Sequence, residues 1–374
     1  MTGMRRVVAN AATKNRDDKT SPPCGTGADG RSYSIVRFAP PAGFGPNWEN
    51  RNFIPSARSQ VVSIKVGIIG AGFISGIHQR NLALDQRVEL AAIYDVDRER
   101  AGALGVDSVD ELFARCDAVY IASPNTTHAD LAVKAIEAGK HVFCEKPMAT
   151  TVADARRVHA AAEKVKTVFQ VGHNRRFAPA YRRVAELLHG CEAHCAHIKM
   201  NRGELLNPPW TADASVTGGF LFETPIHMFD MMRFQFGEIV GLDAREGRKD
   251  DFSCLIEFET GTYATFVTSA DASWFFPYES LEVYGAYATI QTFEMESIEY
   301  RMGLDKPTMK EHYANLDVPA KWGFAEEDRR FIDAISQKAK AAVTSYDGLR
   351  SVEIACGCYL SAAEKRRVDL APRP

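Results

Sequence analysis

The chain has 374 residues, a formal net charge of −3, 45% hydrophobic residues and 25% charged residues. This composition is typical of an ordinary globular protein of about two domains, and the charge gives no indication of a nucleic-acid partner. No apolar run is long enough to span a membrane as a helix. The eight cysteines form no CxxC pair and no zinc-like cluster with histidines, so no metal site is predicted, and free thiols favour the cytoplasm.

Residues 1–62 differ from the rest of the chain, because polar residues, glycine and proline dominate and hydrophobic periodicity is weak. This composition predicts either a disordered extension or an arm that packs on a neighbouring subunit. In the second case Phe38, Phe44, Trp48 and Phe53 would be its anchors.

Strand and helix patterns alternate over residues 63–185, which predicts a doubly wound parallel sheet, that is, a Rossmann domain. The predicted strands cover 64–70, 88–95, 118–122, 141–144 and 167–171. The predicted helices cover 74–84, 98–104, 109–114, 128–138 and 152–164.

The rhythm changes over residues 186–370, which are predicted to form an α+β domain with an open, mostly antiparallel sheet. One long helix is predicted over 218–236, followed by strands over 252–258, 262–269, 280–285 and 288–293. Two final helices, over 323–339 and 347–366, are candidates for packing back on the first domain.

The segment Gly70-Ala-Gly-Phe-Ile-Ser75 follows the first strand and opens the first helix, as a dinucleotide-binding turn does. Gly70 permits the tight turn, and the backbone of Gly72, Phe73 and Ile74 is placed to approach a pyrophosphate. Asp95 ends the second strand, where a carboxylate binds ribose hydroxyls and repels a 2′-phosphate. The predicted cofactor is therefore NAD rather than NADP, although Arg98 and Arg100 lie nearby in sequence and could offset part of the repulsion.

Three further motifs follow the turn in order: Ser123-Pro-Asn-Thr-Thr-His128, Glu145-Lys-Pro147, and a stretch from Gly218 to Asp230 that contains Glu223 and His227. With the glycine turn, they resemble the Gfo/Idh/MocA family of sugar and cyclitol oxidoreductases. The resemblance runs from about Ile64 to Leu370. It implies a Rossmann domain joined to a mostly antiparallel sheet whose open face carries substrate and subunit contacts.

Lys146 follows a predicted parallel strand, at the sheet edge where ligands bind. A lysine there can hold a substrate oxygen and assist proton movement, whereas the alternative is a surface lysine before a turn. Pro147 is a candidate for a cis peptide bond. On the predicted helix, Glu223, His227 and Asp230 share one face, and histidine is suited to move a hydroxyl proton near neutral pH. A solvated helix face is the alternative.

Further candidates surround this pair. Asn174 and Arg176 follow the strand over 167–171 and are predicted to contact substrate hydroxyls or a carboxylate, or else to begin the next helix. Residues expected to line the cofactor are Ser123, Pro124, Asn125, His128, Glu145 and Lys146, although His128 could instead cap its helix. The sequence departs from the family at Glu223, which is usually Asp, and at Pro225, which is commonly Gly.

Together these features predict an NAD-dependent enzyme that transfers a hydride between the cofactor and a secondary alcohol or ketone of a sugar, sugar derivative or cyclitol. Lys146, His227 and Glu223 are its expected catalytic residues, and a homo-oligomer (dimer or tetramer) formed through the open sheet is its expected assembly. Two alternatives stay open. One is an NAD-retaining relative that breaks glycosidic bonds by transient oxidation, and the other is a non-catalytic dinucleotide sensor.

Overall fold

The computed structural model of the chain describes residues 63–201, 209–248, 250–273 and 277–371. The predicted extension over 1–62 and its four aromatic anchors lie outside these ranges. None of the described helices is both long enough and apolar enough to cross a membrane.

A parallel sheet of five strands forms the first half, in the order β2-β1-β3-β4-β5. The strands are β1 (Ile64–Ile69), β2 (Val88–Tyr94), β3 (Ala118–Ile121), β4 (His141–Glu145) and β5 (Phe169–Gly172). The helices are α1 (Phe73–Ala83), α2 (Val109–Arg115), α3 (His128–Glu137), α4 (Val152–Ala162) and α5 (Pro179–Leu188). The central strands are apolar on both faces and fully buried, because helices cover both sides of the sheet. The predicted Rossmann fold is confirmed.

Local hydrogen bonds explain where several of these helices begin and end. Ser108 and Thr151 cap α2 and α4, since each hydroxyl accepts a hydrogen bond from a backbone N–H three residues later. The helix predicted over 98–104 is wrong, because only a short 3-10 turn forms there, over Gly102–Leu104. The Asp97 carboxylate accepts from the Glu99 N–H, and the Arg98 guanidinium donates to the Gly102 and Gly105 carbonyls. These side-chain bonds compete with helical ones.

The second sheet has nine strands in the order β13-β12-β11-β10-β6-β9-β8-β7-β14, and every neighbouring pair except β6–β9 is antiparallel. This confirms the predicted open, mostly antiparallel sheet. Its strands are β6 (Ala193–Met200), β7 (Ile239–Glu246), β8 (Asp251–Phe258), β9 (Tyr263–Ser269), β10 (Glu279–Gly285), β11 (Ala288–Phe293), β12 (Ser297–Met302), β13 (Met309–His312) and β14 (Val368–Asp369).

The long helix predicted over 218–236 is wrong. The structure has two shorter helices there, α7 (Phe220–Glu223) and α8 (Ile226–Phe236), and a further short helix just before them, α6 (Ala214–Thr217). Gly218 and Gly219 separate α6 from α7 with φ angles of +86° and +115°, a backbone conformation that a right-handed helix cannot contain. Pro225 precedes α8 and lacks the N–H that would continue α7.

The chain ends with α9 (Val318–Lys321), α10 (Phe324–Gln337) and α11 (Ser345–Glu364) before β14. Helix α10 packs against α1, while α11 packs against α4 on one side and β7 on the other. Ring contacts of Phe229 with Phe266 and of Tyr359 with Phe252 hold α8 and α11 against the inner face of the nine-stranded sheet.

Candidate active site

The glycine turn after β1 leaves an open anion cradle at the start of α1. Gly70 has a φ angle of +97°, and a Cβ atom there would lie 2.4 Å from the Ala122 carbonyl oxygen. Gly72 is the N-cap of α1, and a Cβ atom on it would meet nothing within 4 Å. Among the described residues, no side chain caps this helix and its first turn carries no acid. The residues therefore fit a pyrophosphate bound to the backbone N–H groups of the turn and of Phe73 and Ile74.

The Asp95 carboxylate lies directly over this turn. One oxygen accepts a 2.7 Å hydrogen bond from the Ala71 N–H, and the other accepts a 2.8 Å bond from the Asp97 N–H. The two nearby arginines turn to other partners, since Arg98 bonds the Gly105 carbonyl and Arg100 pairs with Asp97. A 2′-phosphate would therefore meet the negative charge of Asp95 without a compensating guanidinium from Arg98 or Arg100.

His128 joins the loop after β3 to the loop after β4. Its Nε2 contacts the Ser123 carbonyl oxygen at 2.8 Å and its Nδ1 contacts the Pro147 carbonyl oxygen at 2.7 Å. Burial lowers the pKa of His128, although the two carbonyl contacts favour the protonated ring. Because both nitrogens are engaged inside the protein, His128 shapes the cofactor crevice rather than offering it a hydrogen bond. That His128 also lines the cofactor stays a prediction.

Asn125, on the loop after β3, reaches the helix break of the second half of the chain. Its side-chain amide donates to the Thr217 carbonyl oxygen and to Oε1 of Glu223, both at 3.1 Å. Glu223 is only 5% exposed, so this bond fixes the direction of a buried carboxylate. Ser123 bonds the Thr127 hydroxyl at 2.7 Å, and Pro124 precedes the 3-10 turn over Asn125–Thr127.

Lys146 lies at the carboxyl end of β4, and the Lys146–Pro147 bond is cis, as the sequence suggested. Its ammonium donates a 2.7 Å hydrogen bond to the backbone carbonyl oxygen of Glu223. The side chain is half-buried rather than free on the surface. The structure thus brings Lys146 and Glu223 together from opposite halves of the chain, and His227 lies in the first turn of the next helix, four residues beyond Glu223.

A buried charge network supports the Lys146 loop, and sequence reasoning missed most of it. Oε2 of Glu145 accepts from the Lys146 N–H, while Oε1 contacts Nε2 of His78 at 3.1 Å. Nδ1 of His78 contacts the Asp328 carboxylate at 2.7 Å. Burial lowers the pKa of His78, but Asp328 and Glu145 outweigh it and raise the pKa well above its usual value. Burial also raises the pKa of Glu145, but the hydrogen bond from His78 and the positive charge of that ring have the larger effect, so the pKa of Glu145 is lowered.

Glu145 was expected to line the cofactor, but its carboxylate faces this network. The signal for His78 was present in the sequence, since it lies on the predicted helix that opens at the glycine turn. Its partners could not be named, because Asp328 lies 250 residues away along the chain.

Asp230 and Arg176 form a buried ion pair. The Arg176 guanidinium donates bonds of 2.7 and 2.6 Å to the two oxygens of Asp230, and a further 2.9 Å bond to Asp347. Asp230 therefore orients the Arg176 guanidinium, and Arg176 holds two carboxylates, so the structure does not support the predicted substrate contact of Arg176. Arg176 also lines a cavity of about 1350 Å³ that runs along the β5 edge, and neither Lys146 nor His227 borders it.

Asn174 is also engaged within the protein. It is fully buried, and its amide donates a 2.9 Å hydrogen bond to the Trp322 carbonyl oxygen. The structure therefore does not support a substrate contact for Asn174. Its position at a strand end was correctly recognised, but the space around it is filled by the segment that leads into α10.

His227 is 7% exposed at the first turn of α8. The ring of His173 lies beside it, with the centroids 6.3 Å apart and the planes at 82°. His173 follows β5 as Lys146 follows β4, so the rule that selected Lys146 could also have found it. In the described ranges, histidine, cysteine and acidic side chains form no group of three that could hold a metal ion.

Two family models match the chain. The model described as an oxidoreductase family with an NAD-binding Rossmann fold, GFO_IDH_MocA, matches residues 64–173. The model of the corresponding C-terminal alpha/beta domain matches residues 192–370. The chain belongs to the Gfo/Idh/MocA oxidoreductase family. Its cofactor is NAD, and the residues around the glycine turn fit that cofactor.

Several known proteins are similar to this chain over nearly their whole length. Inositol 2-dehydrogenase from Rhizobium meliloti (strain 1021) is 29% identical over 83% of this chain and 100% of its own. Myo-inositol 2-dehydrogenase from Thermotoga maritima is 27% identical over 82% of this chain and 98% of its own. Levoglucosan dehydrogenase, solved with NADH, superposes with a TM-score of 0.77 at 20% identity, covering 83% of this chain and 99% of that one. At that identity, the superposition shows a common fold.

Proposed function

We propose that this Gfo/Idh/MocA oxidoreductase oxidises a secondary alcohol of a sugar, sugar derivative or cyclitol, and reduces the corresponding ketone, with NAD. One observation carries the proposal: the ammonium of Lys146 donates to the Glu223 carbonyl, four residues before His227, at the carboxyl edge of the parallel sheet, where folds of this kind bind their ligands. The similarity to two inositol dehydrogenases supports the substrate class.

Each residue has a separate task in this reaction. His227 takes the hydroxyl proton on an imidazole nitrogen, and Lys146 stabilises the substrate oxygen as it gains negative charge. Asn125 holds the Glu223 carboxylate, so that Glu223 can position a substrate hydroxyl. NAD, when bound at the glycine turn, would supply the hydride acceptor for the carbon that carries this hydroxyl. Burial of Glu223 and His227 keeps water away from both transfers.

The direct test is a panel of inositols, aldoses and anhydrosugars incubated with NAD, followed by absorbance at 340 nm. We expect wild-type protein to form NADH with at least one polyol. With Lys146→Ala, the rate of NADH formation should fall by about 10²-fold or more. NAD binding by the wild type without turnover of any polyol would contradict the proposal and favour a dinucleotide sensor. Hydrolysis of a glycoside without net NADH would favour transient oxidation.

The proposal includes self-association through the outer face of the nine-stranded sheet. Along β8 and β9 the inward residues are buried, while Leu255, Tyr263 and Val267 are 44%, 52% and 38% exposed. An open apolar sheet face of this kind is typical of a subunit contact. Light scattering should show a dimer or tetramer, and Leu255→Glu with Val267→Glu should yield monomers. An unchanged mass would contradict this contact.

A cytoplasmic location is part of the same proposal. Cys116, Cys144, Cys254 and Cys358 are buried free thiols, and such thiols are typical of reducing compartments. Fluorescence microscopy of the tagged chain in its native cells should show uniform labelling of the cytoplasm. Recovery in a secreted fraction would contradict this assignment.

A further inference from the structure

His173 is a buried imidazole that the reaction described above does not use. It follows Gly172, the last residue of β5, and is only 1% exposed. In the part of the chain that the structure describes, neither of its ring nitrogens has a hydrogen-bond partner. Buried polar groups are nearly always hydrogen-bonded in folded proteins, so a buried ring with two unused nitrogens indicates a partner from outside the chain.

The backbone holds this ring at the candidate active site. Gly172 pairs with Glu145 across β4 and β5, which places His173 beside Lys146 at the same sheet edge. A Cβ atom on Gly172 would lie 2.9 Å from a carboxylate oxygen of Glu145, so the glycine lets the two strand ends approach closely. On the other side the His173 ring meets His227 nearly at a right angle.

The charges around His173 are already matched to one another. Arg176 and Asp230 form the ion pair described above, and Asp347 is paired with Arg176 and Arg233. Burial lowers the pKa of His173, and these opposing charges contribute in both directions. The ring is therefore neutral near neutral pH, with one nitrogen that donates and one that accepts.

We propose that His173 is a substrate-binding residue that hydrogen-bonds the hydroxyl next to the one oxidised at His227, so that the preferred substrates are vicinal diols. The inference rests on the proposed function and adds a specificity determinant to it. Two neighbouring imidazoles can each hold one of two adjacent hydroxyls, and a neutral imidazole can either donate to a hydroxyl or accept from it. A substrate that lacks the second hydroxyl would leave His173 without a partner, which disfavours its binding.

The test compares His173→Phe with the wild type on each oxidised polyol and on its deoxy analogue lacking the adjacent hydroxyl. Phenylalanine keeps the ring volume and removes both nitrogens. We expect kcat/KM for the diol to fall by about tenfold to hundredfold, while kcat/KM for the deoxy analogue changes less than about threefold. His173→Asn, which retains a donor and an acceptor, should recover part of the loss. His159→Phe, on α4, is the control for replacing a histidine outside the site.

The outcomes separate the two claims. If His173→Phe lowers kcat/KM equally for the diol and for the deoxy analogue, or lowers neither value, His173 does not bind that hydroxyl. The dehydrogenase function would still stand. If His173→Phe does not fold, the comparison is made with His173→Asn and His173→Gln, and equal losses on both substrates again overturn the proposal. If the wild type neither oxidises nor binds any polyol in calorimetry with NADH, the proposed function itself fails and this inference fails with it.

Discussion

The ammonium of Lys146 donates a 2.7 Å hydrogen bond to the backbone carbonyl oxygen of Glu223. This bond joins the end of β4 to the last residue of α7, so the loop that follows the parallel sheet is attached directly to the segment that leads to His227.

Replacing Lys146 by alanine should separate catalysis from cofactor binding. We expect NAD affinity to stay within about threefold of wild type and kcat to fall by about 10² or more, the range of general acid–base groups. Initial rates and a fluorescence titration of NADH measure the two quantities. Lys134→Ala, which removes an exposed ion pair with Asp110 on the protein surface, serves as the control. A near-normal kcat in Lys146→Ala would show that this lysine is structural.

Cofactor choice should depend on Asp95. Its carboxylate is fixed over the glycine turn by two backbone N–H groups, so wild type should prefer NAD over NADP by at least about tenfold in kcat/KM, or about 1.4 kcal/mol. Asp95→Ser should narrow that ratio, and Asp110→Ser should leave it unchanged. Equal wild-type rates with both cofactors would contradict this role for Asp95.

The pH dependence of turnover should identify His227 as the proton carrier. Alcohol oxidation needs the neutral imidazole and should rise with pH, whereas ketone reduction needs the protonated ring and should fall over the same range. His227→Asn should flatten both profiles and lower turnover about 10²-fold or more. His194→Asn, at an exposed position on β6, should keep the wild-type profile. If His227→Asn also keeps that profile, Lys146 becomes the leading candidate for proton transfer.

Acid should destabilise the fold through Asp347. Burial raises the pKa of this carboxyl, but Arg176 and Arg233 outweigh it and hold the pKa well below its usual value. The unfolded chain takes up a proton near the ordinary value, so this contribution to stability is present at neutral pH and is lost as the pH falls through that value toward the folded pKa.

Asp347→Asn should therefore lower the free energy of unfolding by about 3–5 kcal/mol at pH 7, as expected when a buried ion pair is broken. The loss should shrink in acid, because wild type loses the same contribution there. Urea unfolding at pH 7, 4, 3.5 and 3 measures this loss, because the contribution disappears only below the ordinary aspartate pKa. A loss that stays constant down to pH 3 would show that the charge of Asp347 does not contribute to stability.

Glu327 should make the stability of the fold depend on pH in the opposite direction to Asp347. Burial and the charge of Glu145 raise its pKa well above the usual value, and neither carboxyl oxygen has a partner among the described residues. Above the ordinary pKa the unfolded chain loses this proton while the folded chain keeps it, so stability falls as pH rises toward the folded pKa.

Glu327→Gln removes this titration. The free energy of unfolding of Glu327→Gln, relative to that of wild type, should rise by up to about 1.4 kcal/mol per pH unit. This applies between the pKa of Glu327 in the unfolded chain and its pKa in the folded chain. Urea unfolding at pH 5, 6, 7 and 8 gives the two curves. Glu326→Gln, in an exposed cluster of arginines on the same helix, is the matched control. Parallel curves for Glu327→Gln and wild type would contradict the raised pKa.

Local patterns in the sequence determined the parallel half of the fold and the cofactor turn. Apolar runs such as Ile64–Ile69 specify strands buried on both faces without reference to the rest of the chain. Gly70, Gly72 and Asp95 could be identified because the turn, the helix start and the next strand all lie close together in sequence. Lys146 followed from the rule that ligands bind at the carboxyl ends of parallel strands.

Tertiary structure alone decided which charged residues remain available to a ligand. Arg176 meets Asp230 from 54 residues away and Asp347 from 171 residues away, and no local pattern encodes such pairings. The same limit applies to His78, whose partner Asp328 comes from α10. Where Gly218, Gly219 and Pro225 divide the predicted helix, the sequence did carry a local signal, but the amphipathic pattern hid it. The strand-end rule could have pointed to His173 as a position, but only the fold shows that its ring is buried with no partner among the described residues, because burial depends on every element packed around a residue.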